Sequence, residues 1–239
     1  TYILKYNAVD SSGNQAIEIQ RIVTVGDTGA PVINLIGDIL IIHEAKTVYS
    51  DVGATASDAL DGTLSVTSVS TVNTDAVGSY SVIYNVSDAN GNAANPVTRT
   101  VSVVDTTKPE ITLVGNATET VEAKGTYTDA GATANDTLDG SLSVTSVSTV
   151  NTDAVGSYTV SYTVSDANGN AADPVTRTVS VVDTTKPEIT LLGDATVTVE
   201  AKGSYSDGGA TASDTLDGTL SVTSVSTVNT DAVGSYSVI

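Results

Sequence analysis

The sequence predicts an all-β protein made of tandem β-sandwich units with a 78-residue period, strung together as an elongated rod. Three observations carry the prediction. The first is composition: Cys, Met, Phe and Trp are absent, Tyr occurs ten times, and Thr, Ser, Val, Ala, Asp and Gly abound. β-Branched side chains suit a pleated surface, while Gly, Asn and Asp supply turns. The second is repetition. DTGAPVINLIG, DTTKPEITLVG and DTTKPEITLLG open at Asp27, Asp105 and Asp183, 78 residues apart both times, with no insertion or deletion between. The third is alternation with a period of two, the signature of a half-buried strand.

The repeat sets the domain plan. Residues 63 to 80, TLSVTSVSTVNTDAVGSY, recur unchanged at 219 to 236 and with one change, Ser141 for Thr63, at 141 to 158. Residues 27–104 and 105–182 are then complete units. Residues 183–239 match the beginning of a unit and residues 1–26 match its end. A period held this strictly marks a folding module rather than low-complexity sequence.

Each element follows in order along the unit. The linker Asp105-Thr-Thr-Lys-Pro109 is short, and proline fixes its own backbone while biasing Lys108 toward extended geometry. Such a connection reads as stiff. Ile111 and Leu113 begin the first strand. Ala54 and Ala56 form a thin inward face, suited to close approach of two sheets. Leu64 with Val66, and Val101 with Val103, repeat the signal in short runs bounded by turn residues. The longest strand alternates Tyr80, Val82, Tyr84 and Val86 against Ser79, Ser81, Asn85 and Ser87, interrupted by Ile83. Core burial is expected from Val, Ile, Leu and Tyr alone.

The stretch Asp75-Ala-Val-Gly78-Ser-Tyr80-Ser-Val82 resembles the tyrosine corner of immunoglobulin-like domains, in which a Tyr near the start of strand F bonds back to the backbone. Asp153, Gly156 and Tyr158 repeat it. The position two residues after the Tyr carries Val82, Val160 or Val238, not the cysteine of antibody domains, so no intersheet disulfide is expected. With DTTKPEITL, GTYTDAGATANDTLDG, DAVGSYTVSYTVSDANGN and VTRTVSVVD, the unit resembles the bacterial immunoglobulin-like repeats of cell-surface proteins, a group akin to hyalin-type repeats. The resemblance covers the whole chain.

It implies tandem immunoglobulin-like sandwiches, with residues 1–26 supplying strands F and G of an incomplete unit and residues 183–239 lacking theirs. It also implies an extracellular location at a bacterial cell surface, as a spacer or fibre-forming segment of a stalk, adhesin or filament. The alternative is an adhesive module recognising a carbohydrate or another cell surface. Few aromatic side chains are available as sugar-stacking platforms, which favours the spacer.

Charge narrows the partners. Nine basic residues against twenty-eight acidic ones give a net charge of -19, which repels nucleic acid and anionic lipid heads. The longest apolar run, Ile39 to Ile42, falls far short of the roughly 20 residues of a membrane helix, so no membrane insertion is expected within this segment. TYILKYNAVD has neither the basic start nor the apolar stretch of a signal peptide; either the chain is cytosolic or its targeting signals lie outside it. The expected partners are further copies of the repeat. They belong either to the same longer chain or to neighbouring subunits that complete the partial end units by strand donation.

Chemistry-bearing residues concentrate in two turns, SDALDG with Asp58 and Asp61, and DANGN with Asp88, Asn90 and Asn92. If the first is the BC turn and the second the FG turn of an immunoglobulin topology, the next copy gathers Asp105, Asp136, Asp139, Asp166 and Asn168 at a junction between units. Calcium takes six to eight oxygen ligands of this kind. Ordinary turn chemistry explains the same residues, because Asp and Asn tolerate left-handed backbone and bond locally, and no complete EF-hand motif is present.

No enzyme is expected. Cysteine is absent, and the lone His43 lies where the other copies carry Val121 and Val199. Asp58 with Asp61 recurs in every unit, whereas an active site is usually singular and set in a pocket. Lys46, Lys124 and Lys202, beside Glu44, Glu122 and Glu200, read as solvated strand-end charges rather than crosslinking groups. The sequons at Asn85, Asn116 and Asn135 are unmatched between copies and carry no glycan expectation.

Overall fold

Alternation and glycine-closed turns resolve into nineteen strands and no helix in a computed structural model that describes residues 1–239. The protein is all-β, with three immunoglobulin-like repeats. The chain divides into two compact units, Thr1–Thr106 and Thr107–Ile239.

In the first compact unit, β1 (Tyr2–Tyr6) and β2 (Ile19–Val23) form an antiparallel hairpin in which Tyr2 faces Val23. The repeat that follows contains β3 (Val32–Leu35), β4 (Leu40–Glu44), β5 (Ala54–Asp58), β6 (Gly62–Leu64), β7 (Thr67–Ser70), β8 (Gly78–Asn85) and β9 (Val97–Val104). They make two sheets, a three-stranded β3-β5-β6 and a four-stranded β4-β9-β8-β7. β4 runs parallel to β9, so the chain changes sheet directly after β3, at a turn where Gly37 takes a φ of +79°. Only glycine adopts that conformation without steric cost.

The second compact unit repeats the plan with β10 (Glu110–Leu113), β11 (Thr118–Glu122), β12 (Ala132–Asp136), β13 (Gly140–Leu142), β14 (Thr145–Ser148), β15 (Gly156–Thr163) and β16 (Val175–Val182). Its sheets are β10-β12-β13 and β11-β16-β15-β14. The TLDG turn differs from the expected BC crossing. It joins β12 to β13 as antiparallel neighbours within one sheet, Asp136 facing Gly140, and the crossing follows at Ser143 and Val144. Left-handed glycine at Gly140, φ +73°, closes the turn into a tight hairpin before the chain can change layers.

The core lies between the sheets. In the second repeat it comprises Ile111, Ala134, Val160, Tyr162, Ala172 and Val179. Burying a Val or Ile side chain contributes about 1.5–3 kcal/mol, so the inward face of β15 and β16 carries much of each sandwich. The alanines of β5 and β12 keep that interface thin.

The core is not made from Val, Ile, Leu and Tyr alone. Arg99 and Arg177 are its largest fully buried side chains. On β9, Arg99 shares a face with Val101 and Val103, and its guanidinium is consumed internally. Nη1 donates to Asp51 and, at 2.8 Å, to the Tyr84 hydroxyl; Nε donates to the Asp38 carbonyl at 3.0 Å; Nη2 donates to the Ile36 carbonyl. Arg177 does the same with Asp129 and the carbonyls of Asn116 and Val114. A buried charge is tolerated because every polar direction it presents is satisfied.

Residues 183–239 form the three-stranded sheet β17 (Glu188–Leu191), β18 (Ala210–Asp214) and β19 (Gly218–Leu220). Ile189 there is 64% exposed, against 8% for its equivalent Ile111. The difference is the second sheet, which covers Ile111 and not Ile189.

Candidate metal centre

Two turns and the segment leading into the repeat build the acidic pole of residues 27–104. In the turn after β5, the Asp58 Oδ1 accepts from the backbone N–H groups of Leu60 at 2.7 Å and Asp61 at 3.1 Å. The Asp61 Oδ2 then accepts from the N–H of Ala89 at 2.8 Å, which ties this turn to DANGN. Within DANGN, the Asp88 Oδ1 accepts from the N–H groups of Asn90 and Asn92, and its Oδ2 accepts from the Asn92 side chain at 2.6 Å. Asp27 joins them: its Oδ2 accepts from Asn90 Nδ2 at 3.3 Å and its carbonyl from Asn92 Nδ2 at 3.3 Å. One carboxylate oxygen each from Asp27, Asp58 and Asp88 consequently lies within 4.8 Å of the others.

Electrostatics at the pole follow from these donors. Burial pushes the Asp88 carboxyl up, but the Asn92 side chain and the N–H groups of Asn92, Asn90 and Gly91 outweigh it and hold the group below its ordinary value. Asp166 is lowered by the same set, against burial, through Asn170, Asn168 and Gly169. These carboxylates stay charged well into acid.

The second repeat presents the same turns. Asp136 Oδ1 accepts from the N–H of Leu138 and Asp139, Asp139 Oδ2 accepts from Ala167 N–H, and Asp166 Oδ1 accepts from the N–H groups of Asn168 and Asn170. Asp105 directly follows β9, the last strand of the preceding repeat, and is buried. Asp136 is only 3% exposed, and its Oδ2 has no hydrogen-bond partner. The third repeat brings Asp183, Asp214 and Asp217 within 4.8 Å, and Asp214 Oδ2 is likewise buried and unpartnered. Burial and the neighbouring charges of Asp214, Glu122 and Asp217 push the Asp183 carboxyl up.

The tyrosine corner lies outside this pole and is structural. The Tyr80 hydroxyl donates to the Ala76 carbonyl at 3.0 Å, Tyr158 to Ala154 at 2.9 Å. Each ring packs over the glycine two residues before it, Gly78 or Gly156. Asp75 and Asp153 accept from Lys46 and Lys124 at 2.9 Å.

Those lysines are therefore paired rather than simply solvated, and the glutamates beside them hold the linkers. Glu44 accepts from Thr106 N–H and hydroxyl at 2.8 Å each. Glu122 accepts from Thr184 and Thr185, two N–H groups and two hydroxyls, which lowers its pKa to about 2. Reading along the sequence missed this clasp, because the partners stand 62 residues apart. The buried arginines had a signal: in VTRTVSVV the Arg falls on the inward beat of the alternation.

His43 has a local role. Its Nε2 pairs with the Thr47 hydroxyl at 3.0 Å, and its ring meets Tyr49 edge-on.

Fold, repeat and loop pole together define a tandem array of small β-sandwich modules, a structural or adhesion-related repeat protein. The family described as "Bacterial surface protein, Ig-like domain" matches residues 33–103, 111–181 and 189–239, and the chain belongs to it. Hyalin from Strongylocentrotus purpuratus is 33% identical over 207 residues, 80% of this chain and 17% of that protein. Hyalin from Lytechinus variegatus is 34% identical over 131 residues, 52% of this chain and 24% of the relative. The chain thus spans less than a quarter of either relative. Among solved structures, a catalytic domain with two adjoining domains from Clostridium perfringens overlaps 88% of this chain and 38% of its own at 14% identity, with a TM-score of 0.36. A lipoprotein from Bacteroides thetaiotaomicron overlaps 62% of this chain and 99% of its own at 16% identity, with a TM-score of 0.29. Both likenesses are too loose to argue from.

Proposed function

We propose that this chain is a non-enzymatic structural segment of an extracellular bacterial surface stalk, adhesin or filament, in which each 78-residue repeat, bounded at 27–104 and 105–182, serves as a spacer. The observation that carries the reading is the linker clasp. Glu44 and Glu122 bind the threonines that leave their own repeat, two or three residues before the proline that opens the next. A connection held by a charge-assisted bond on one side and a fixed proline φ on the other resists bending, so reach grows with copy number.

Further copies of the repeat are the proposed partners, in the same longer chain or in neighbouring subunits. The supporting observation is the repetition itself, one 78-residue unit following another without insertion or deletion.

Small-angle scattering on the full chain and on a chain with Glu44 and Glu122 changed to Ala tests the spacer reading. A maximum dimension that shrinks in the variant, with strand content unchanged, supports it. Equal dimensions, or strong signals for the full chain on a glycan array, overturn it in favour of an adhesive module.

A further inference from the structure

We propose that the acidic pole is a divalent-cation site of the calcium class, with Asp27, Asp58 and Asp88 as carboxylate ligands in the first repeat and Asp183, Asp214 and Asp217 in the third. The proposal does not depend on the spacer reading.

Turn chemistry accounts for part of this pole and leaves a remainder. At the DTLDG turn it uses one oxygen only: Oδ1 of Asp136 and Oδ1 of Asp214 cap the two N–H groups that follow. Oδ2 of both residues is buried and has no donor, and Asp136 is 97% withdrawn from solvent by its 3% exposure. A buried carboxylate oxygen without a partner is costly, since it loses water and gains nothing in exchange. The same atom is orphaned at the same position in two successive repeats. In the third repeat that residue stands among two more carboxylates, one oxygen each of Asp183, Asp214 and Asp217 lying within 4.8 Å of the others.

Ligand chemistry selects the metal. The pole offers oxygen donors and neither His nor Cys, which suits a hard cation and disfavours zinc or copper. Three carboxylates, from the segment entering the repeat and from one or two of its turns, fit calcium's flexible shell of six to eight oxygens better than the strict octahedron of magnesium, with water completing the sphere. A net charge of -19 raises the cation concentration near the surface.

The test uses the full chain with calcium chloride as the only added probe, at constant ionic strength. Equilibrium dialysis should show saturable uptake, with a Kd on the order of 1 mM or tighter, as for extracellular calcium modules. Asp58→Asn and Asp214→Asn keep the Oδ1 acceptor and remove the charge, and each should abolish one site or weaken it about tenfold or more. In chelator the order reverses: Asp214→Asn should melt at or above the temperature of the unchanged chain, because the orphaned anion is gone. Should Asp214→Asn fail to fold, Asp183→Asn, at an exposed position of the same site, carries the same arm. Uptake that never saturates up to about 10 mM, or sites left intact by all three substitutions, overturns the proposal.

Discussion

Asp51 and Arg99 meet inside the first sandwich, where the fully buried guanidinium donates to the Asp51 carboxylate while that carboxylate accepts from the hydroxyls of Tyr49 and Tyr84. Asp51 lies just before β5 and Arg99 in the middle of β9, so the contact bridges the two sheets. It also occupies the carbonyls of Ile36 and Asp38 at the point where the chain changes layer.

Removing one member of this network leaves the others uncompensated. Arg99→Ala is expected to destabilise the repeat by about 3–5 kcal/mol, as for a buried pair broken on one side. Calorimetry should show the transition of residues 27–104 shifting down while that of 105–182 stays in place as an internal reference. Two unshifted transitions count against the role given to Arg99.

The phenols in these networks titrate late. Burial, followed by hydrogen bonding and charge repulsion from Asp51 or Asp129, pushes Tyr84 and Tyr162 up to about 12. A group with a raised folded pKa contributes stability that is complete below its unfolded value of about 10 and lost as pH climbs through about 12. Ultraviolet difference titration should find two tyrosines that ionise well after the rest. Asp51→Asn, which removes the charge that raises Tyr84, should move one of them back toward the ordinary range.

The linker clasp responds at the other end of the scale. Thr184 and Thr185 hold Glu122 at about 2, below its ordinary 4.5. Its depressed folded pKa means that the contribution is present above about 4.5 and lost as pH falls toward 2. Carboxyl NMR of Glu122, followed together with the Thr184 amide, should place both midpoints near the lower value. A Glu122 midpoint near 4.5 would remove the clasp.

At the tyrosine corner, Tyr158→Phe deletes only the hydroxyl that donates to Ala154 at 2.9 Å. The expected loss is about 0.5–1.5 kcal/mol, the net worth of one hydrogen bond. Chemical denaturation reads it as a lower midpoint with an unchanged slope.

What was legible in the sequence was whatever depends on near neighbours. The 78-residue period, the strand faces of Tyr80 to Val86 and the turns closed by Gly62 and Gly91 all arise from interactions spanning a few residues, and composition records them directly. The family resemblance rested on the same local words.

Sequence by itself determined the fold class, the repeat and the identity of the acidic turn residues. Tertiary structure alone decided which oxygens those turns leave free, which groups pair the inward-facing Arg99, and that Glu44 holds Thr106. The reason is physical: periodicity states which way a side chain faces, but a charge becomes buried, paired or orphaned through partners 48 to 62 residues away. Closure of the two sheets brings those partners into contact.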